Sequence, residues 1–323
     1  AHDPFRPVRA PAFPDLLPGT AMFFKNLTFF RFPTAVDFSE VDKLLPHVLL
    51  KPVGPMEMHS RGFISPFGRE EKEQFSQTIG DAMWLAVGAE EKILPAVVVN
   101  DLVARKIEEI EEKEGRRPGG RERKRIKDDL LHELMPRAFI KGSRTDAMVD
   151  LKHGYIAVNT SSRKTGENVV SDVRGLLGSF PAMPLNAEVA PRSILTSWIA
   201  GDPMPEGLEL GEECELKDPM EGGAVVKCQK LELRCEEIDK HLEAGKQVTR
   251  LALVLEDNLS FVLGDDLTVR KLKFLDGALD QLEDSEGEGR RVEMDARFAL
   301  QSAEVQRLFL ILEEAFKLSK ADA

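Results

Sequence analysis

His132 and Glu133 stand side by side in a stretch with helical patterning, as in the His-Glu-x-x-His array with which a helix presents two imidazoles to zinc. Position 136 is Pro, so the array is not completed. The other histidines are scattered: His2 lies near the amino end, while His47, His59, His153 and His241 fall beside turns or on polar helix faces. They read as surface or supporting residues. The carboxylate pairs Asp128-Asp129 and Glu236-Glu237 lie on helices and read as solvated faces rather than metal ligands. Cys214, Cys228 and Cys235 are three in number and form no C-x-x-C, which argues against a zinc site and for a reducing compartment. There is no phosphate-cradling Gly-rich loop, no dinucleotide fingerprint and no G-x-S-x-G elbow. The expectation is a protein that is not an enzyme and carries neither cofactor nor metal.

The elements that would position any site belong to an ordinary globular chain. Its 323 residues are 42% hydrophobic and 31% charged, with 44 Lys and Arg against 56 Asp and Glu, a formal charge of −12. No apolar run approaches the ~20 residues of a membrane span, so no membrane is expected. Five prolines (Pro4, Pro7, Pro11, Pro14, Pro18) interrupt residues 1–21, which read as a tag or extended start before Met22 and lack the apolar core of a signal peptide.

Phe23–Phe32 reads as an aromatic strand and Asp37–Leu50 as a helix, with further strands at Arg61–Phe67 and Met83–Val87. After Pro95, the stripes Val99, Val103, Ile107, Ile110 and Ile126, Leu130, Leu134 flank the breaker Gly115–Gly120. They predict a helical hairpin with arms of ~25 Å, ended by Pro136. Strands resume over Ala147–Val158 with a turn at His153-Gly154. A helix over Lys164–Leu177 and a strand at Leu185–Val189 follow. Leu208–Leu216 and Ala224–Leu233 read as a hairpin turning at Glu221–Gly223. Cys235–Glu243 reads as a helix, Val248–Phe274 as three strands, Asp276–Glu288 as a loosely held acidic segment and Ala303–Leu318 as a final helix. The fold class expected is α+β with largely antiparallel sheets and a projecting helical hairpin. The regions are 22–95, the hairpin 96–136, 137–274, and 275–323.

Charge placement is more informative than total charge. Lys113–Lys127 holds eight basic residues (Lys113, Arg116, Arg117, Arg121, Arg123, Lys124, Arg125, Lys127) and two acidic ones. A basic tip on a projecting hairpin suits phosphate contact; the alternative is a solvated helix face balanced by the neighbouring Glu108–Glu114. Lys217, Lys227 and Lys230 form a second basic group and Arg270, Lys271 and Lys273 a third. By strand alternation Lys227 and Gln229 face one way, Cys228 and Lys230 the other. No helix-turn-helix, zinc finger or aromatic RNA-binding box is present, so any DNA contact should be to the backbone and independent of sequence.

Seven blocks stand in order along the chain: Phe24–Leu27, Glu90–Pro95, Leu134–Phe139, Gly178–Leu185, Glu212–Leu216, Glu221–Lys230 and Glu243–Leu253. In order and spacing they resemble the bacterial recombination-associated RdgC family, from Met22 to the last helix. The resemblance implies a nucleoid-associated, cytoplasmic binder of double-stranded DNA, leaving single-stranded DNA open as a further ligand. It implies a homodimeric ring with a basic hole and restraint of RecA-promoted strand exchange through occupancy of the DNA. Carried over by position, Phe139 matches an aromatic at a ring interface; an intramolecular core role is its alternative. Arg116, Gln229 and Lys230 match DNA-contacting positions, with Gln229 standing where a second basic residue is common. With the basic tip and strand, the DNA-binding set is Arg116, Arg117, Arg121, Arg123, Lys124, Lys227, Gln229 and Lys230. The rival expectation is a module that inhibits the recombinase by direct contact, with Asp276–Glu288 imitating DNA charge.

Overall fold

The structure, a computed structural model, describes residues 23–68, 71, 73–220, 223–285 and 289–321. In chain order the elements are β1 (Thr28–Arg31), α1 (Val41–Leu44), β2 (His59–Ile64), β3 (Ser76–Ile79), β4 (Ala82–Ile93), α2 (Ala96–Glu114), α3 (Gly120–Leu134), β5 (Phe139–Asp150), β6 (Tyr155–Val158) and α4 (Arg163–Leu177). Then come β7 (Met183–Pro184), α5 (Pro191–Ala200), β8 (Leu208–Lys217), β9 (Val225–Gln229), α6 (Glu236–Glu243), β10 (Gln247–Leu255), β11 (Leu259–Gly264), β12 (Val269–Phe274), α7 (Asp276–Leu279) and α8 (Arg290–Phe316). The ladders are antiparallel, so the chain is α+β as its short turns require.

Contacts divide the chain into two units. The first holds His47–Ile64 and Val87–Arg144; the second holds the described residues up to Pro46, Ser65–Ala86 and the chain from Thr145 onward. Strands β4 and β5 each begin in one unit and end in the other.

In the first unit, the end of β4 carries Glu90 and Lys92, both buried charges. Burial of a charge is tolerated when backbone groups solvate it. The Glu90 carboxylate accepts from the Val53 amide at 2.9 Å, and Lys92 Nζ donates to the carbonyls of Gly54, at 2.7 Å, and Pro55. The Glu90–Pro95 block thus pins the Val53–Pro55 loop to the strand. The hairpin then leaves the strand. Helix α2 has 19 residues and α3 has 15, about 28 and 22 Å at 1.5 Å per residue. Gly115, in the left-handed region at φ 63°, stops α2, and its amide donates to the Glu111 carbonyl at 2.9 Å. Of the apolar stripes only Val99 is fully buried; the rest of each stripe is half-buried against the opposite helix.

The second unit is organised around α8. Its buried Met294, Phe298, Val305, Leu308, Phe309, Leu312 and Phe316 recur at helical spacing. Phe298 stacks on Trp84 at 5.3 Å, Phe309 on Tyr155 at 3.9 Å, and Phe316 meets the edge of Trp198 at 5.6 Å. These aromatic pairs add about 0.5–1.5 kcal/mol each beyond area burial. Gln301 accepts from the Phe24 amide at 2.7 Å, holding the chain's first described segment to the helix. Strand β1 pairs with β6 and β7, and α4 lies close on β1: a Cβ at Gly166 would meet the Phe30 ring at 2.7 Å. A second sheet runs β12-β11-β10-β8-β9.

The turn between β5 and β6 demands glycine. Gly154 lies at φ +67°, and a Cβ there would stand 2.4 Å from the Phe32 carbonyl oxygen. Gly154→Ala is therefore expected to destabilise the protein by about 3 kcal/mol, combining the left-handed cost with a backbone clash. Urea unfolding checks this; a loss under about 1 kcal/mol would show that the turn relaxes freely.

The helical hairpin, the β8–β9 hairpin and the three strands after Val248 stand as expected, though Glu221 and Gly222 at the second turn lie outside the described residues. Several expectations are corrected. Asp37–Leu50 is helical only over Val41–His47, because Pro46 follows within a turn. Leu185–Val189 is not a strand; the short pairing sits at Met183–Pro184. The acidic stretch is structured over its described part, α7 and a 3-10 segment through Ser285 tied down by the Gly277 amide donating to Asp257; Glu286–Glu288 lie outside the described residues. The last helix begins at Arg290 rather than Ala303, and α5 and β3 have no counterpart among the expected elements.

Candidate nucleic-acid interface

The tip of the first unit's hairpin is built by two helix ends and the Gly115–Gly119 link. Arg116 is held there by its neighbours: it meets Glu114 at 2.7 Å and both oxygens of Glu122 at 2.7 and 2.9 Å. The bidentate bond that Arg116 donates to Glu122 raises the arginine above its ordinary value, and the same bond holds the Glu122 carboxyl below the usual range. Arg117 reaches Glu111 at 3.4 Å, Arg123 donates through Nε to the Pro118 carbonyl at 2.9 Å, and Arg125 stands 3.9 Å from Asp129. Among the described residues, Lys113, Arg121, Lys124 and Lys127 make no ion pair, and all four are exposed. Arg121, Lys124 and Arg125 share one face of α3 by their three- and four-residue spacing. The tip thus keeps a group of cations with no local carboxylate to displace, and Arg116 is not among them.

The other sequence-selected residues lie in the second unit, on the edge strand β9. Lys227 and Gln229 are exposed while Cys228 is buried, as alternation requires. Lys230 departs from that expectation: the strand stops at Gln229, and Lys230 turns into the left-handed region at φ 56°, exposed rather than facing inward. The neighbouring strand takes up much of the basic charge. Glu215 meets Lys227 at 3.3 Å and Arg250 at 3.6 Å, and Glu213, opposite Gln229, receives Lys271 at 2.7 Å. Arg270 is likewise bound to Asp266 at 2.6 Å. Lys227, Arg250 and Lys271 share the carboxylates of Glu215 and Glu213, which offsets much of the basic charge around β9.

Burial alone would raise the Glu215 carboxyl, but hydrogen bonds from Thr249 and Lys227 and the charge of Arg250 outweigh it and hold the group low. A carboxylate lowered by folding contributes stability above its unfolded pKa and loses it as pH falls through the folded value. Glu215→Gln is thus expected to cost about 1 kcal/mol near pH 7 and nothing once pH drops well below 4.5. Urea midpoints of both proteins from neutral pH down into the acid range measure the gap; a gap that widened on acidification would contradict the assignment.

Phe139, the first residue of β5, is 72% exposed, so it is not an intramolecular core residue. The Leu151 amide donates to the Asp81 carbonyl at the opposite end of the β4–β5 pair, so the strands run antiparallel. Ile93, the last residue of β4, therefore stands at the same end as Phe139. Ile93, Val97 and Val98 are also exposed, at 44, 80 and 52%. Sequence reasoning selects the aromatic alone; Val97 and Val98 are visible in the sequence only as apolar residues off the Val99 stripe.

A family model described as "Putative exonuclease, RdgC" matches residues 22–319. The chain belongs to the RdgC family. It is 79% identical over 301 residues to the recombination-associated protein RdgC of Stenotrophomonas maltophilia (strain R551-3), covering 93% of this chain and all of that protein. It is 76% identical over 302 residues to the protein of that name from Xanthomonas campestris pv. campestris (strain B100), and 75% over 301 residues to that of Xanthomonas axonopodis pv. citri, in each case covering the whole relative and 94 and 93% of this chain. Family model and relatives thus differ in wording, one naming an exonuclease and the others an association with recombination. Among the described residues no group of His, Cys, Asp and Glu is placed to hold a metal ion, and no helix is long and apolar enough to cross a membrane.

Proposed function

We propose that this chain binds double-stranded DNA through its phosphates, without reading sequence, as a homodimeric ring. It restrains RecA-promoted recombination by occupying the DNA and is associated with the nucleoid. The observation that carries this reading is the hairpin tip, where Lys113, Arg121, Lys124 and Lys127 are exposed and, among the described residues, free of ion pairs in a chain of net charge −12. Cations without carboxylate partners release DNA counterions at no cost in broken pairs, while acidic residues elsewhere discourage adhesion outside the site. The exposed Phe139, beside Ile93, supplies the apolar contact with which a second copy would close the ring. Arg116, Arg117, Arg123, Lys227, Gln229 and Lys230 serve as secondary contacts, since most are engaged by neighbouring groups.

The test is binding to random duplex between about 50 and 200 mM salt, with solution mass measured alongside. Four phosphate contacts per protomer, eight for the dimer, give a slope of log K on log salt of about −7.2, at roughly −0.9 per contact. No binding at the low-salt end, or a slope near zero, overturns the reading. Inhibition of RecA should also vanish when competing duplex is in excess; inhibition that persists would favour direct contact with the recombinase.

A further inference from the structure

All three cysteines of the chain gather in one place in the second unit. Cys214 in β8 and Cys228 in β9 are direct register partners, and both are buried, at 1 and 8% exposure. Directly opposed residues of antiparallel strands hold their Cβ atoms about 4.5–5.5 Å apart, next to the ~3.5–4.5 Å that a disulfide spans. The two thiols are free; burial first, then the neighbouring Cys228, pushes the Cys214 thiol up to about 12. Cys235, half-buried, stands at the N-terminus of α6, near enough to influence Cys214 but outside the ladder. Strand β9 is an edge of its sheet and has five residues, so β8 alone holds it.

We propose that Cys214 and Cys228 are a modification site for peroxides, forming a reversible cross-strand disulfide that fastens edge strand β9 to β8. The sulfur of Cys228, the less enclosed of the pair, attacks one oxygen of hydrogen peroxide. The O–O bond breaks, one water leaves and Cys228 becomes a sulfenic acid. The Cys214 sulfur then attacks that sulfur; the S–S bond forms, the S–O bond breaks, and the hydroxyl departs with the Cys214 thiol proton as a second water. The peroxide gains the two electrons that the thiols lose. The high pKa of Cys214 makes the second step slow at neutral pH and faster as pH rises. The bond does not depend on the DNA-binding reading.

The full chain is treated with hydrogen peroxide, its remaining thiols are alkylated, and it is digested without reductant for peptide mapping. The expected product joins the Cys214 and Cys228 peptides within one chain and is undone by dithiothreitol. Cys235→Ser should leave it intact, and amide exchange over Val225–Gln229 should slow about tenfold in the oxidised protein. A link through Cys235, a link between chains, or sulfinic acid at Cys228 with no S–S bond overturns the proposal; each is read on the wild-type protein, whatever the variant's folding.

Discussion

Replacing Arg121 and Lys124 together by alanine is expected to weaken duplex binding about thirtyfold per protomer, and roughly a thousandfold for the dimer, at roughly 0.15 M salt, equally for every sequence. Removing one cation from its phosphate takes about 0.9 off the salt slope, which at that salt is a factor of about five in affinity. Both side chains are exposed and, among the described residues, unpaired, so their removal leaves no carboxylate stranded there and the fold should be untouched. Arg116→Ala is expected to cost less, because that guanidinium is already committed to Glu114 and Glu122 and would have to leave them to reach a phosphate. Binding isotherms on two unrelated duplexes decide this. A larger loss for Arg116→Ala than for the double variant, or a loss confined to one sequence, would show that the tip is not a simple phosphate contact.

Phe139→Ala is the second large expectation. A ring that holds DNA must open at one interface to load, and the proposed contact there is Phe139, 72% exposed in the single chain. Truncating such an anchor costs about 2 kcal/mol or more, equivalent to roughly a thirtyfold weaker contact. Release from closed circular duplex should accelerate by about that factor. The melting temperature of the single chain should scarcely change, because a side chain so exposed contributes little packing to its own fold. Unchanged release, with unchanged self-association, would remove Phe139 from the interface.

How far the sequence discloses all this depends on the range of the interactions. The helical hairpin is legible because its apolar stripes keep a helical period and Gly115–Gly120 interrupts them. α8 is legible only from Ala303, since its first turns are charged: Arg290, Arg291, Glu293, Asp295 and Arg297 obscure the stripe that Met294 and Phe298 begin. α5 starts at a proline and runs for only ten residues, too few for its period to register. The cations of the site are visible as residues, but their availability is not. Lys271 is neutralised by Glu213, 58 residues away, through sheet order alone. The left-handed turn that brings Lys230 to the surface, and the register that sets Cys214 against Cys228, likewise exist only after the strands have paired.

Passage of duplex DNA through a closed dimer is checked by loading the protein on closed circular duplex at low salt, raising the salt, and following retention before and after a single cut by a restriction enzyme. Enclosure predicts that protein stays on the intact circle and is lost on linearisation as it slides off the ends. Equal and immediate loss from circle and linear form would show that the DNA lies against the surface and is never encircled.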